Sequence, residues 1–310
     1  RADLARVNLR PAMVDLYERA RDNEPVVGMI GSLGAIGMIG RGAGFPGGDR
    51  DVVAGQTLDG WRLSPSGRPL YRFPRYVRSV PGLARELRRL DLADGKLDRS
   101  WRGRPFPPDV SELPAFAPYQ TSVVRELIRR ERFGRDRVPD FLFVNYKQID
   151  KIGHRSSMNS SEMAAAVRSS DAALGTIVRM LDREVGRGRW VLALTADHGA
   201  TPDRSVTGGP ALDTQDLYAD LLARFDRDGD DVPAIQSARL TQIWVDETEL
   251  AENGFEVEDV ARFLARYRVS DNAGSGMPAG RPDRTAFTAA FPSEVLKDLA
   301  CLRDTKRRNG

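Results

Sequence analysis

The chain has 310 residues, enough for one large α/β domain or two small ones. Its 41% hydrophobic and 29% charged residues exclude wholesale disorder, and its net charge of +3, with both signs spread along the chain, leaves no global nucleic-acid footprint. One cysteine, Cys301, excludes a disulfide framework and Cys-rich zinc modules; two histidines, His154 and His198, exclude an all-histidine metal site.

In chain order, Leu9–Asn23 carries a helical stripe of Met13, Leu16, Tyr17 and Ala20. Pro25–Ser32 reads as a strand, and the apolar stretch Pro25–Gly40 around it is too short and Gly-rich to span a bilayer. Arg41–Val80 is rich in Gly, Pro and Arg and reads as a surface insertion. Helices follow over Pro81–Ala93 and Thr121–Phe133. Next comes the near-continuous apolar run Asp140–Tyr146, a strand buried on both faces. Ser160–Val185 is a long helix with Asn159 and Glu162 spaced as a capping box. Trp190–Ala196 repeats the buried-strand pattern, and Arg239–Asp246 is a fourth strand. Thr214–Phe225, Glu256–Tyr267 and Pro292–Leu302 complete the helices, with a flexible loop over Asn272–Pro282. Strand and helix alternate, so the expected class is α/β, a central mostly parallel sheet flanked by helices on both faces.

Both histidines follow the two most apolar strands, and each has an aspartate nearby: Asp150-Lys-Ile-Gly-His154 and Asp197-His198-Gly199. Ligands in parallel sheets bind beyond the carboxyl ends of the strands, so Asp150, His154, Asp197 and His198 should reach one edge. Mixed Asp and His donors suit zinc and tolerate Mn, Fe or Mg. Gly153 and Gly199 are read as letting the backbone pass close to an ion. Two structural hydrogen bonds, each Asp orienting its His, are the plain alternative.

Asp-x-x-Gly-His followed by Thr-Ala-Asp-His-Gly resembles the alkaline phosphatase superfamily, best its type I phosphodiesterase/nucleotide pyrophosphatase branch. The likeness runs from about Pro139 to Pro202 and includes Asn145-Tyr-Lys and Asp171-Ala-Ala-Leu. It implies a phosphoric ester hydrolase with two metal ions, usually zinc, one on Asp150 and His154 and the other on Asp197 and His198. Such ions would clamp both oxygens of an in-line phosphoryl transfer. The branch is often exported, although no signal-peptide pattern opens this sequence.

The pattern departs from the branch in two places: no Asp and Thr or Ser nucleophile stands in residues 1–25, and no histidine follows His198. The resemblance therefore implies a nucleophile upstream of Arg1. The resulting expectation is a single domain over 1–310 that lacks its N-terminal part, with a surface insertion at 41–80 and a loose tail at 304–310. Ser32, ending a strand, is the substitute nucleophile candidate, with a Gly-rich turn residue as the alternative. Lys147 is the candidate to hold a substrate phosphate as a point charge.

Three other patterns compete for function. Gly42-Ala-Gly-Phe-Pro-Gly47 matches G-x-G-x-x-G, but Pro46 interrupts it and no helix follows. Asp226, Asp228, Asp230 and Asp231 hint at a calcium loop, but the EF-hand positions for Gly and Glu hold Asp231 and Ser237, so a solvated loop is expected. Arg68, Arg72, Arg75 and Arg78 interleave with Tyr71, Phe73 and Tyr76, a pattern able to bind a polyanion or to lay an insertion over the surface. The reading is therefore a metal-dependent hydrolase of small phosphate esters, diesters or pyrophosphates first. The alternatives are an inactive metal-binding scaffold or a polyanion binder.

Overall fold

Val26, Val27, Met29 and Ile30 are all at most 1% exposed, because the first strand, β1 (Val27–Ser32), is buried on both faces of its sheet. The computed structural model describes residues 17, 20–22, 24–39, 51–58, 60–63, 71–202, 204–208, 212–272 and 284–298. Contacts divide the chain into two compact units, 1–202 and 203–310, where the sequence predicts one domain.

In the first unit β1 lies between β2 (Val52–Thr57) and a later strand over Phe141–Val144, parallel to both; β3 (Gly60–Arg62) adds antiparallel to β2. The class is α/β with a mostly parallel sheet, as expected. β2 and β3, however, come from Arg41–Val80, read above as a surface insertion. Val52, Val53 and Ala54 are at most 1% exposed. The surrounding Gly, Pro and Arg hide a six-residue strand, opened by Val52, Val53 and Ala54, that pairs directly with β1.

Short helix α1 (Leu33–Ile39) follows β1 and sets Ile36 against Val27, Met29 and Val53 on one face of the sheet. On the other face Ile30, Val52 and Ala54 pack with Val124 and Leu127 of a helix over Phe116–Arg130, and with Ile177 and Met180 of one over Ser161–Leu181. In chain order these helices are α2 (Leu83–Asp91), α3 (Phe116–Arg130), α4 (Gln148–Ser156) and α5 (Ser161–Leu181); β4 (Ser100–Trp101) and β5 (Arg104–Pro105) form a small hairpin before α3, and β6 (Phe141–Val144) precedes α4. Ser160, not Asn159, caps α5: its Oγ accepts from Met163 N at 3.0 Å. The buried stripe of α5 is Met163, Ala166, Ala173, Ile177 and Met180, while Val167 is 48% exposed. The helix thus buries two small alanines alongside its larger apolar residues.

Two strand assignments are corrected. Trp190–Ala196 joins no ladder among the described residues; Val191 is 96% and Leu194 77% exposed. β6 is therefore an edge strand there, and it is half-buried rather than sealed on both faces. An apolar run alone does not supply a pairing partner. Arg239–Asp246 is no single strand either: it spans the turn of an antiparallel hairpin, β7 (Ile235–Arg239) and β8 (Gln242–Val245), in the second unit.

That unit holds α6 (Arg204–Thr207), α7 (Thr214–Phe225), α8 (Glu247–Glu252), α9 (Val257–Arg266) and α10 (Ser293–Asp298). Its core gathers Leu217, Leu221, Phe225, Ile235, Leu250 and Leu264, with Phe255 and Phe263 edge-on to Phe225 at 5.0 and 5.5 Å. Arg1, upstream of which the sequence reading puts the nucleophile, lies outside the described residues. So do the G-x-G-x-x-G match, Arg68, Cys301, the 304–310 tail, most of Leu9–Asn23 and most of Asn272–Pro282. Among the described residues no helix is long and apolar enough to cross a membrane.

Candidate metal centre

β6 ends at Val144, and the chain turns through Asn145, Tyr146 and Lys147 directly into α4. The sequence reading places Asp150 and His154 only after the strand; both are helical. Asp-x-x-Gly-His is an i,i+4 pair on one helix face, which brings His154 Nε2 to 3.5 Å from Asp150 Oδ1. Gly153 serves packing rather than an ion: a Cβ there would stand 2.6 Å from Met158 Sδ and 2.9 Å from Met163 Cε.

Asp197 and His198 arrive on the unladdered segment, yet they reach the same place. His198 Nε2 lies 3.4 Å from Asp150 Oδ1 and 3.7 Å from Asp197 Oδ2. Lys147 Nζ lies 3.0 Å from Asp150 Oδ2 and 3.9 Å from Asp197 Oδ2. All four candidate ligands and Lys147 are thus brought together around Asp150.

The tautomer of His198 can be assigned from its partner. Nδ1 sits 2.6 Å from the carbonyl oxygen of Gly199, which can only accept. Nδ1 therefore carries the proton, and in the neutral ring Nε2 presents a lone pair to the carboxylate oxygens of Asp150 and Asp197. Lone pair facing carboxylate is repulsive, and a cation between them reverses the sign. Two carboxylates and two imidazoles are hard and borderline donors that zinc accepts. The donor types suit a divalent metal, although among the described residues no three of these four bring ligand atoms within 4.8 Å of one another.

The sequence does not show how α4 is held. Gln148 is 1% exposed, and its Nε2 donates to Gln120 Oε1 at 2.9 Å; Gln120 Nε2 donates to Asn145 O at 2.9 Å. Lys151 Nζ donates to Asp109 Oδ2 at 2.7 Å and to Ser111 Oγ at 2.5 Å. Burial works against ionising Asp109, but the bonds from Lys151 and Ser111 outweigh it and hold the carboxyl below its ordinary range. Burial pushes the Tyr146 phenol up to about 12, opposed by its hydrogen bond with Thr121.

Ser32, the substitute for a nucleophile upstream of Arg1, stands at the same end of the sheet. Its N donates to Asn145 Oδ1 at 3.2 Å and its Oγ accepts from Ala35 N at 3.4 Å, as a cap of α1. Gly31, at φ 149°, admits Asn145: a Cβ would lie 2.5 Å from that of Asn145.

Two of the interleaved arginines, both exposed, bond to the chain's own residues. Arg72 pairs with Glu131, Arg78 Nε donates to Trp61 O at 3.3 Å, and Tyr76 OH donates to Glu131 at 2.6 Å. That is the insertion-anchoring pattern. In the second unit Asp228, Asp230 and Glu249 bring carboxylate oxygens within 4.8 Å of one another. Glu249 of α8 thus stands beside the two aspartates of that loop. Asn253 Nδ2 bonds Asp228 at 2.5 Å and closes the loop.

A family model described as type I phosphodiesterase/nucleotide pyrophosphatase matches residues 57–294. The chain belongs to that family. Its members are phosphoric ester hydrolases, and it falls within the alkaline phosphatase superfamily. Among curated proteins the chain is 28% identical over 141 residues to alkaline phosphatase PafA of Elizabethkingia meningoseptica, covering 43% of this chain and 25% of that protein. It is 32% identical over 92 residues to alkaline phosphatase PhoV of Synechococcus elongatus, covering 30% of this chain and 17% of that one. The matched stretches thus span a quarter or less of the length of these relatives. A crystal structure of wild-type PafA aligns with 50% of this chain and 30% of its own, at 26% identity and a TM-score of 0.42.

Proposed function

We propose that Asp150, His154, Asp197 and His198 bind divalent metal, two zinc ions in the first instance with Mn, Fe or Mg as substitutes, and that the chain hydrolyses small phosphate esters. The observation that carries this is the His198 geometry: Nε2 lies 3.4 and 3.7 Å from carboxylate oxygens of Asp150 and Asp197, in a family of phosphoric ester hydrolases. Bound metal supplies Lewis-acid polarisation of the phosphoryl oxygens.

The chain's own residues do the rest. Asp150 Oδ1 faces both imidazoles and orients them; the Gly199 carbonyl fixes the His198 tautomer. Lys147, reaching both carboxylates, offers an ammonium to an equatorial phosphate oxygen once metal takes over those carboxylates. Within residues 1–310, Ser32 is the attacking hydroxyl to test first, since its backbone is tied to Asn145 beside the site. The family's own description makes phosphodiesters and pyrophosphates the first substrates to try, and the names of PafA and PhoV make phosphomonoesters the second.

Elemental analysis after dialysis against zinc or manganese tests the metal. Parent chain should retain metal, and Asp197→Asn should lose one equivalent with its fold intact. A parent that retains none sinks the assignment. Turnover of bis-p-nitrophenyl phosphate and p-nitrophenyl phosphate by the metal-loaded chain, and by Ser32→Ala, tests the chemistry. No turnover by the metal-loaded chain would favour a nucleophile upstream of Arg1; turnover unchanged in Ser32→Ala would remove Ser32 from that role.

A further inference from the structure

A second polar site lies along α3, away from the metal ligands. Tyr76, Ser79, Val80, Arg85, Arg125 and Arg130 are among the residues that wall a groove of about 480 Å³ beside α2 and α3. Its size falls in the range of small-molecule sites, about 300–1,000 Å³. The lining carries three guanidinium groups against one carboxylate, Glu126. That carboxylate is taken, 3.0 Å from Arg130 and 3.5 Å from Arg129. Arg85 pairs with Glu86 outside the groove.

Arg125 is the exception. It is half-buried on α3, and among the described residues it makes no hydrogen bond and no ion pair. A guanidinium drawn partly out of water without a counter-charge is costly, and it presents a planar fork that matches an oxyanion. The Ser79 hydroxyl lining the same groove is likewise unengaged among the described residues. Two free donors and a surplus positive charge thus face one cavity, with Val80 and Pro81 giving it an apolar wall.

The groove is separate from the metal centre. Gln120 marks the part of α3 beside Asn145 at the carboxyl end of β6, and the helix then runs toward the opposite end, where Gly134 N donates to Asp140 Oδ2 at 2.6 Å just before β6 begins. From Gln120 to Arg125 the helix rises about 7.5 Å and turns about 140°, so the two side chains leave different faces of α3.

We propose that this groove binds a small phosphate-bearing anion, held by Arg125 and Ser79 with Arg85 at its mouth. The proposal is independent of metal and is tested without it. Calorimetric titration in EDTA uses inorganic phosphate in one arm and glucose 6-phosphate in the other. Saturable binding of either probe by the parent is expected, about 10-fold weaker in Arg125→Gln, partly restored in Arg125→Lys, and unchanged in Asp197→Asn. Tighter binding of the sugar phosphate would assign the apolar wall to an organic moiety; equal binding would assign the site to the phosphate group alone. Thermal melts check that each variant is folded. The exposed Arg85→Gln serves as a milder variant with an expected loss of about 3-fold. No saturable binding by the parent, equal binding by Arg125→Gln, or a loss in Asp197→Asn matching that in Arg125→Gln would overturn the proposal.

Discussion

Asp150 and His154 sit on a helix pinned from three sides, while Asp197 and His198 sit on a segment that almost nothing holds. Ile152 buries α4 against Met163 and Ala166, Gln148 ties its start to Gln120, and Lys151 ties its middle to Asp109 and Ser111. By contrast, the segment carrying Asp197 joins no ladder among the described residues, and the Asp197 carboxylate accepts from its own neighbour, His198 N, at 3.1 Å. The same two ligand types thus come on one rigid and one loosely held support. On the proposed metal reading, the first half would be in place before metal arrives and the second would be ordered by it, an ordering that subtracts from affinity.

The comparison is broken most severely at its hub. Asp150→Asn weakens contacts to both imidazoles and to Lys147, so zinc affinity measured by chelator competition should fall about 100-fold, against about 10-fold for Asp197→Asn. Equal losses would mean the two supports do not differ. Next is the pin itself. Lys151→Met should cost about 2 kcal/mol in urea unfolding, because it leaves a half-buried carboxylate without its charged donor. The folded-state pKa of Asp109 is lowered, so its contribution is present above the ordinary carboxylate range and is lost as pH falls through the lowered value. The cost of Lys151→Met should therefore shrink in acid; a pH-independent cost would remove Asp109 from the account. Lys147→Met removes the cation that already occupies both carboxylates and should tighten zinc by up to about 5-fold while slowing phosphate-ester turnover. Weaker zinc in that variant would show that Lys147 supports the site instead of competing for it. The smallest effect belongs to the free segment: Val191→Ser should change stability by less than about 0.5 kcal/mol, since Val191 is 96% exposed. A loss above about 1 kcal/mol would show that Val191 is buried in solution.

Periodicity and run length locate β1, β6, α2, α5, α7 and α9 from residues alone, because each has a strong apolar pattern over its own length. β2 is unreadable because Val52, Val53 and Ala54 are surrounded by turn formers, and only the pairing with β1 explains them. α4 carries just two isoleucines and a glycine, too few for a helical stripe, although the i,i+4 spacing of Asp-x-x-Gly-His is itself helical. The four candidate ligands stand out in the sequence because the chain has two histidines. The residues that hold them are not: Gln120 and Gln148 are 28 positions apart, and Asp109 and Lys151 are 42. No local pattern connects such partners.

The stretch from Trp190 to Ala196 contains no charge, no proline and no glycine, and among the described residues it lies in a chain whose β6 edge is open. Those are the properties of segments that pair between molecules at high concentration. Arg187 and Arg189 stand on one side of it and Asp197 on the other, in the flanking positions where charges discourage such stacking. Asp197 is then a guard of solubility as well as a candidate ligand. Neutralising it would make the protein harder to keep in solution for reasons unrelated to metal.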